Sequence, residues 1–254
     1  MSLSNMWKEL TAEDLVARSK AEAVVILPVA SMEQHGPHLP VGVDTILCEG
    51  VCRRAADIAA LTSPVVVAPT LWCGLAEHHM AFGGTFTFDI PTYRSVLLAF
   101  LRSIARHGFK RVLIVNGHGG NKTALNAFLP DLVVETGLII RATTYFDVAP
   151  AALEAILEDQ TGVRHACEAE TSMMMVEAPA FVKPHRLPDA YGPPHSHSAG
   201  GLPAIQRFAS FKEFSASGVI GDARRANADK GERIFVAVAQ AIAGAIADAQ
   251  SWQS

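Results

Sequence analysis

Short apolar runs rich in β-branched residues alternate along this chain with stretches of helical periodicity. Runs of this length and composition are typical of strands buried on both faces of a parallel sheet. Two runs are clear, Val24–Val29 and 111–115, and weaker ones lie at 65–68, 138–144 and, shorter still, 85–88. We predict that these runs are the strands of the core.

Helical stretches separate or follow these runs. They span residues 45–60, 92–107, 121–135 and 225–250. In the second stretch Leu97, Leu101 and Ile104 recur at helical spacing, and Gly108 is placed to end the helix. Strands alternating with helices predict βαβ units, a mostly parallel sheet and helices on both of its faces. The predicted fold class is α/β, as a single three-layer α/β/α domain over residues 1–254.

The composition favours a folded globular protein. Of the 254 residues, 50% are hydrophobic and 18% are charged, which supplies the apolar material for a core. A formal net charge of −4 offers no basic surface for nucleic acid or for an anionic membrane. No apolar run reaches the roughly 18 residues of a membrane span, and the N-terminus carries no secretory signal pattern. We expect a cytoplasmic protein whose four cysteines are free thiols.

A segment rich in metal-ligand side chains follows the first predicted strand. It reads Glu-Gln-His-Gly-Pro-His over residues 33–38, and Asp44 comes after a turn. Ligands bind at the carboxyl ends of parallel strands, and residues two apart in an extended segment point the same way. Glu33 and His35 can therefore converge on one point, to which the turn can return Asp44. Carboxylates and imidazoles together suit zinc, manganese or iron. Loop residues satisfied by ordinary hydrogen bonds are an equally good interpretation of this segment alone.

A glycine-rich turn follows the strand at 111–115. It reads Asn-Gly-His-Gly-Gly-Asn over residues 116–121, and the glycines around His118 allow unusual backbone angles and close approach of a ligand. The turn is not a dinucleotide fingerprint, because Lys122 stands where the third glycine belongs, and it is not a P-loop. A tight strand-to-helix turn with an incidental histidine is the alternative. Its place at the carboxyl end of a second buried strand favours a ligand role for His118.

A third cluster precedes the apolar run at residues 173–176. His165 and Glu168 are three residues apart and would share one face of a helix. Two carboxylates in front of a methionine-rich run indicate the wall of a site. Acidic residues near a helix start also act as dipole or capping partners, which is the role we favour for Glu170. His165 and Glu168 are therefore the candidate functional residues of this cluster.

Other histidines give weaker signals. One of His78 and His79 is expected to line the pocket and the other to be solvated. His195 and His197 resemble a metal pair, but their serine- and proline-rich loop favours an outer or exposed position. The surrounding residues 179–221 are rich in Pro, His, Ser and Gly. We expect them to form an ordered insertion near the site or an oligomer contact, because long structureless loops are uncommon in compact domains.

The three clusters together resemble the signatures of the creatininase (creatinine amidohydrolase) family. The similar segments are residues 28–40 with Asp44, 77–85, 116–121, 165–172 and 218–233. They follow one another in the family's order and span nearly the whole chain, so the resemblance is specific. It implies a layered α/β/α fold and a dinuclear metal centre that hydrolyses amide-type C–N bonds.

The resemblance also implies roles for individual residues. Glu33 and His118 match ligands of one metal ion, His35 matches a ligand of the second ion, and Asp44 matches the carboxylate that bridges both. His165 falls where the family has an active-site histidine near the substrate. Family members often assemble as homohexamers with their sites near subunit contacts, so we expect a homo-oligomer, with a hexamer as the family's frequent form.

Two features depart from creatininase proper. That enzyme carries a Tyr-Glu pair after the histidine of the second signature, and the glutamate binds the second metal, whereas this chain has Gly119 and Gly120. We therefore predict that Glu168 supplies the missing ligand or shuttles a proton. Creatininase also surrounds its substrate with tryptophans, and none of the three here adjoins the third signature. The Gly-Gly form is similar to the branch of the family that includes a formamidopyrimidine-type deformylase and a peptide-processing member.

We expect a metal-dependent amidohydrolase that cleaves a non-peptide C–N bond in a small cyclic amide, amide or formamide. Two divalent ions per chain, zinc first and manganese or iron as alternatives, would activate a water molecule. His165 would stabilise the oxyanion or donate a proton to the leaving nitrogen. The alternatives are creatinine amidohydrolase proper, a non-catalytic metal-binding protein of the same fold, and a nucleotide-binding module. The chain carries neither the G-x-S-x-G elbow of serine hydrolases nor an HExxH helix.

Overall fold

A four-stranded parallel sheet lies at the centre of the computed structural model, which describes residues 4–193 and 207–253. Its strands are β1 (Val24–Val29), β2 (Val65–Val67), β3 (Arg111–Asn116) and β4 (Ile139–Thr144). They are ordered β2-β1-β3-β4, and Val24 of β1 lies opposite Val65 of β2 and Arg111 of β3. The predicted parallel α/β class is confirmed.

Helices connect the strands and cover the sheet. They are α1 (Ala12–Lys20), α2 (Val43–Ala59), α3 (Ile90–Arg106), α4 (Lys122–Thr136), α5 (Pro150–Ile156), α6 (Glu168–Glu177), α7 (Phe211–Phe214) and α8 (Ala228–Ala247). Local signals fix some of their ends: Asp89 caps α3 by accepting a hydrogen bond from the Thr92 N–H (2.8 Å), and Gly137 ends α4 in the left-handed region. Among the described residues, none of the helices combines the length and apolar character that crossing a bilayer requires.

The side chains of β1 divide the core into two halves. All six residues of this strand are buried. Val24 and Ile26 belong to a core built with α2, α6 and α8, whereas Val25 and Leu27 belong to a core built with α3 and α4. Because successive side chains of a strand point to opposite faces, the continuous apolar run places one layer of helices on each side of the sheet.

Residues 85–88 do not form a strand. Phe86 makes a single antiparallel bridge with Met32, through its N–H and the Met32 carbonyl oxygen (2.9 Å), and the Phe86 side chain is 59% exposed. The segment pairs with the loop after β1 rather than with the sheet, so its short pattern does not extend into a ladder. A second small sheet pairs β5 (Tyr191–Gly192) with β6 (Gly221–Asp222), within the predicted insertion. His195 and His197 lie outside the described residues.

Candidate metal centre

The loops after β1 and β3 bring four of the predicted ligand residues together. Ligand atoms of Glu33, His35 and Asp44 lie within 4.8 Å of one another. His118 Nδ1 is 3.1 Å from Glu33 Oε2 and 3.1 Å from Asp44 Oδ2. All four side chains are almost completely buried. Because β1 and β3 are parallel neighbours, their carboxyl ends meet at one edge of the sheet, and the side chains that follow them meet there too.

Asp44 lies between the two histidines. It is in the first turn of α2, and its Oδ1 atom is 3.2 Å from His35 Nε2 while its Oδ2 atom is 3.1 Å from His118 Nδ1. The two oxygens of one carboxylate thus face different imidazoles. A carboxylate in this position is able to contact two cations at once.

Each of these histidines has its other ring nitrogen beside a backbone carbonyl. His118 Nε2 is 3.0 Å from the Leu75 oxygen, and His35 Nδ1 is 3.1 Å from the Glu33 oxygen. A carbonyl only accepts, so these nitrogens carry the proton when the rings are neutral, and the lone pairs of His118 Nδ1 and His35 Nε2 face the carboxylates. Metal-binding histidines are usually oriented in this way.

The Asn-Gly-His-Gly-Gly-Asn turn is shaped to present His118. The Asn116 amide donates a hydrogen bond to the His118 carbonyl (2.7 Å), and the Asn121 amide donates to the Ala30 carbonyl (3.1 Å). A Cβ atom on Gly120 would lie 2.4 Å from both His118 Nε2 and the Leu75 oxygen. Only glycine leaves space for the imidazole to reach its carbonyl partner, so the motif encodes the orientation of the ring.

Glu170, not Glu168, completes the cluster. Ligand atoms of Glu170, His35 and His165 lie within 4.8 Å of one another, and Glu170 Oε2 is 3.9 Å from His35 Nε2. This oxygen also accepts a hydrogen bond from the Ala166 N–H (2.5 Å), which fixes the side chain. The sequence pattern favours a capping role for Glu170, whereas its carboxylate lies beside His35 and His165 at the cluster.

The prediction that Glu168 reaches the site is wrong. Its carboxylate points away from the cluster: Oε1 accepts from Lys230 Nζ (2.5 Å) and Oε2 accepts from the N–H groups of Glu158 (3.1 Å) and Asp159 (3.0 Å). Residues two apart at a helix start differ by about 200° around the axis, so Glu168 and Glu170 face opposite sides. The position of each residue around the axis of α6 therefore distinguishes the two glutamates.

His165 lies beside the cluster, as predicted. Its Nε2 atom is 2.8 Å from the Gln34 carbonyl oxygen, and its Nδ1 atom is 3.5 Å from Glu33 Oε1. Burial lowers the pKa of His165 well below its usual range, and the neighbouring His35 lowers it further, so the ring is neutral.

His79 and Gln34 also belong to the site: the sequence predicts one of His78 and His79 at the pocket without choosing between them, and it does not single out Gln34. His79 is buried, its Nε2 atom is 3.4 Å from Glu33 Oε1, and its Nδ1 atom accepts from the Gln34 amide (3.1 Å). His78 and His79 both line the cavity, so neither is simply solvated. The two-residue alternation gives Gln34 a different direction from Glu33 and His35, so the sequence pattern does not single it out. Its side-chain amide nevertheless lies beside His79 and His165.

The electrostatics of the cluster favour a bound cation. Three buried atoms, Glu33 Oε2, His35 Nε2 and Asp44 Oδ2, have no partner in hydrogen-bond geometry within the described part of the chain, although buried polar groups are normally satisfied. Burial alone would lower the pKa of His35, but the Asp44 and Glu170 carboxylates outweigh it and raise the pKa to about 9. Burial raises the pKa of Glu170 to about 7. Carboxylate and imidazole donors that lack partners in one place fit divalent zinc or manganese.

A cavity of about 740 Å³ opens onto the cluster. This size is typical of small-molecule sites. Its lining includes the cluster residues Glu33, Asp44, His78, His79, His118, His165 and Glu170, and also Lys122, Phe146, Asp147, Leu153, Arg164, Phe211 and Ile220. The candidate centre is therefore reachable by a substrate of modest size, with apolar surface beside it.

Known proteins resemble this chain over most of its length. The mycofactocin precursor peptide peptidase of Mycobacterium tuberculosis is 30% identical over 225 residues, which cover 84% of this chain and 80% of that protein. The creatinine amidohydrolase of Pseudomonas putida is 29% identical over an alignment of 265 positions, which covers 97% of each chain. A crystal structure of creatinine amidohydrolase (creatininase) superposes with a TM-score of 0.83 at 27% identity, over 100% of both chains.

The family profile described as "Creatinine amidohydrolase" matches residues 8–246. The chain therefore belongs to the creatininase family.

Proposed function

We propose that this protein is a metal-dependent amidohydrolase that hydrolyses an amide C–N bond at a centre of two divalent ions. The observation that carries the proposal is a set of three buried ligand atoms, Glu33 Oε2, His35 Nε2 and Asp44 Oδ2, which form no hydrogen bond within the described residues. The two oxygens of Asp44 face two different histidines. Solved structures similar to this chain include a creatininase described as the Zn-Zn type and a manganese form, which supports zinc or manganese here.

Five residues would hold the two ions. Glu33 and His118 would bind one ion, His35 and Glu170 would bind the other, and Asp44 would bridge them. When bound, the ions supply Lewis acidity toward the carbonyl oxygen and a water whose pKa falls from 15.7 toward about 7. Glu170 takes the place that we first gave to Glu168, and it reaches His35 from the start of α6.

His165 would move the proton. Its Nε2 atom lies beside the Gln34 carbonyl oxygen (2.8 Å) and the Gln34 side-chain amide (3.0 Å), and its Nδ1 atom is on the side of the cluster; a proton on Nε2, donated to the carbonyl, would leave the Nδ1 lone pair facing the cluster. A neutral imidazole in this position can accept a proton from the attacking water and return it to the leaving nitrogen. Oxyanion stabilisation would instead require the tautomer that carries its proton on Nδ1.

The substrate class divides into two candidates. A small non-peptide amide is favoured by the membership of the chain in a family described as creatinine amidohydrolase. A peptide is the second candidate, favoured by the 30% identity to a mycofactocin precursor peptide peptidase. Turnover of a panel of lactams, formamides, N-acyl amino acids and short peptides distinguishes the two. Zinc- and manganese-loaded protein that turns over none of them would contradict an amidohydrolase.

Metal analysis tests the centre itself. We expect elemental analysis of protein purified without chelators to find close to two divalent ions per chain. Asp44→Ala is expected to lose both ions, because its carboxylate is shared, whereas His35→Ala is expected to lose mainly one. Wild-type protein that holds no metal after dialysis against zinc or manganese would contradict the proposal.

A pair of carboxylate variants locates the last ligand. Glu170→Gln is expected to bind one ion fewer than wild type or to bind it at least about tenfold more weakly, since a ligand is lost. Asp147→Asn removes a carboxylate from the same cavity, where it pairs with Lys122 instead of the cluster, and should keep the wild-type metal content. Equal metal content in Glu170→Gln and Asp147→Asn would exclude Glu170 as a ligand.

A further inference from the structure

Two cationic residues line the cavity, and only one of them has an ion-pair partner in the described part of the chain. Lys122 Nζ is 2.6 Å from Asp147 Oδ2, so its charge is already neutralised. The Arg164 side chain also lines the cavity, is exposed to solvent, and forms no ion pair within residues 4–193 and 207–253. Arg164 is thus a guanidinium beside the candidate centre with its hydrogen-bonding capacity unused.

The backbone of Arg164 is held in a fixed place. Its N–H donates a hydrogen bond to Cys167 Sγ (3.4 Å), and the carbonyl of the next residue, His165, accepts from the Ile220 N–H (2.9 Å). Val163 before it is buried. The Arg164 side chain therefore starts from the same anchored turn that carries His165, so its backbone has a fixed place relative to the cluster.

The cavity also has apolar walls. Phe146, Leu153, Phe211 and Ile220 are among its lining residues. A ligand that fills the cavity therefore meets the metal-ligand cluster, apolar side chains and Arg164, a cation without an ion pair among the described residues. Guanidinium groups match carboxylates in a two-pronged hydrogen-bonded pair, which makes them selective for that group.

We propose that Arg164 binds a carboxylate of the substrate, and that the substrate is an amide that bears this carboxylate and an apolar group. The proposal rests on the proposed amidohydrolase function and specifies its substrate. N-acyl amino acids and the C-terminal residue of a peptide share this chemistry. A neutral lactam or formamide lacks it, so the proposal favours acidic amides over neutral ones within the two substrate classes.

Hydroxamate probes test this inference by binding, without requiring turnover. Hydroxamates chelate zinc, so succinic, glutaric and adipic monohydroxamates would be compared with alkyl hydroxamates of the same chain lengths on zinc-loaded protein by calorimetry. We expect at least one acidic probe to bind wild type about tenfold more tightly than its neutral counterpart. Arg164→Gln should lose that preference and keep its affinity for the neutral probe.

Arg106→Gln is the matched control. Arg106 is an exposed arginine at the end of α3 that does not line the cavity, and its replacement should leave the preference unchanged. Equal binding of acidic and neutral probes to wild type, or a preference that survives in Arg164→Gln, would overturn the role of Arg164. Failure of every neutral probe to bind would instead contradict the metal centre, so the two proposals fail separately.

A substrate pair identifies the source of the carboxylate. N-acetylphenylalanine and the tripeptide Gly-Gly-Phe would be offered to zinc-loaded protein, each beside its C-terminal amide. Hydrolysis of either acid in preference to its amide supports the proposal, and the acid that is cleaved shows whether an acylated amino acid or a peptide is used. Faster cleavage of the amides would count against it.

Discussion

Gly120 is the residue on which the orientation of His118 depends. A side chain at this position would have its Cβ atom 2.4 Å from His118 Nε2 and 2.4 Å from the Leu75 oxygen, which are the two atoms of the hydrogen bond that orients the ring. Such a short approach forces either the imidazole or a backbone carbonyl to move. A Cβ atom on the neighbouring Gly119 would have no described atom within 4 Å.

The adjacent glycines therefore form a matched pair of variants. We expect Gly120→Ala to weaken metal binding about 10- to 100-fold, because it disturbs the partner that orients a ligand. Gly119→Ala should bind metal like wild type. Competition with a fluorescent zinc chelator measures both affinities. Equal affinities in the two variants would show that the Leu75 contact of His118 does not matter for the centre.

At the scale of elements, a buried ion pair joins α6 to α8. Lys230 Nζ contacts Glu168 Oε1 (2.5 Å), Glu158 Oε1 (2.6 Å) and the Arg225 carbonyl (2.9 Å). Glu168 is completely buried and also accepts two N–H groups from residues 158 and 159. The pair thus ties the start of α6 to the segment that leads to His165. The ion pair therefore stabilises the part of the chain that lines the site.

Removing the lysine should cost far more than removing a surface arginine. Lys230→Met leaves the Glu168 carboxylate buried without its counter-ion, and we expect a loss of about 3–5 kcal/mol in the free energy of unfolding. Arg233→Met on the same helix breaks only an exposed pair with Asp229 (3.6 Å) and should change stability little. Urea denaturation measures both.

A double variant separates the charge from the packing. Lys230→Met combined with Glu168→Leu should be more stable than Lys230→Met alone, since no unpaired charge is then buried. If Lys230→Met matches Arg233→Met in stability, the pair does not hold the two helices together.

At the scale of the whole molecule, the loops after β1 and β3, the first turn of α2 and the start of α6 supply the ligand residues of the centre, and these side chains are almost completely buried. That burial also affects histidines outside the cluster. His38 is fully buried, and its Nε2 atom is 2.7 Å from Thr171 Oγ1 of α6. Burial lowers the pKa of His38 to about 4, and the nearby His35 adds to the effect. The folded protein therefore keeps His38 neutral at a pH where the unfolded chain protonates it.

The sign of the resulting pH dependence follows from proton binding. Between the ordinary value of 6.5 and about 4, the unfolded chain binds a proton at His38 that the folded protein does not. This contribution to stability is fully present above pH 6.5 and is lost as the pH falls through that window, up to about 3 kcal/mol. His38→Gln cannot titrate, so metal-free wild type should lose more stability than the variant on acidification. If the free energies of unfolding of wild type and His38→Gln, measured with urea, fell equally with decreasing pH, the lowered pKa of His38 would be contradicted.

The sequence by itself determined the frame of the centre. Apolar runs fixed β1 and β3, and two-residue alternation after β1 placed Glu33 and His35 on one side. The glycines of the second signature identified His118. These inferences succeeded because each depends on local geometry: a strand period, a parallel neighbour and a turn that only glycine permits.

Tertiary structure decided what lies around this frame. Glu168 and Glu170 are alike in the sequence. The choice between them depends on where α6 begins and on Lys230, which lies 62 residues further along the chain and forms an ion pair with Glu168. The pairing of Lys122 with Asp147 is likewise a contact between distant segments. Arg164 also lines the cavity, and it has no ion pair within the described residues. Local patterns specify which way a side chain points from its own element, whereas the partner that it meets there is set by packing of elements far apart in the chain.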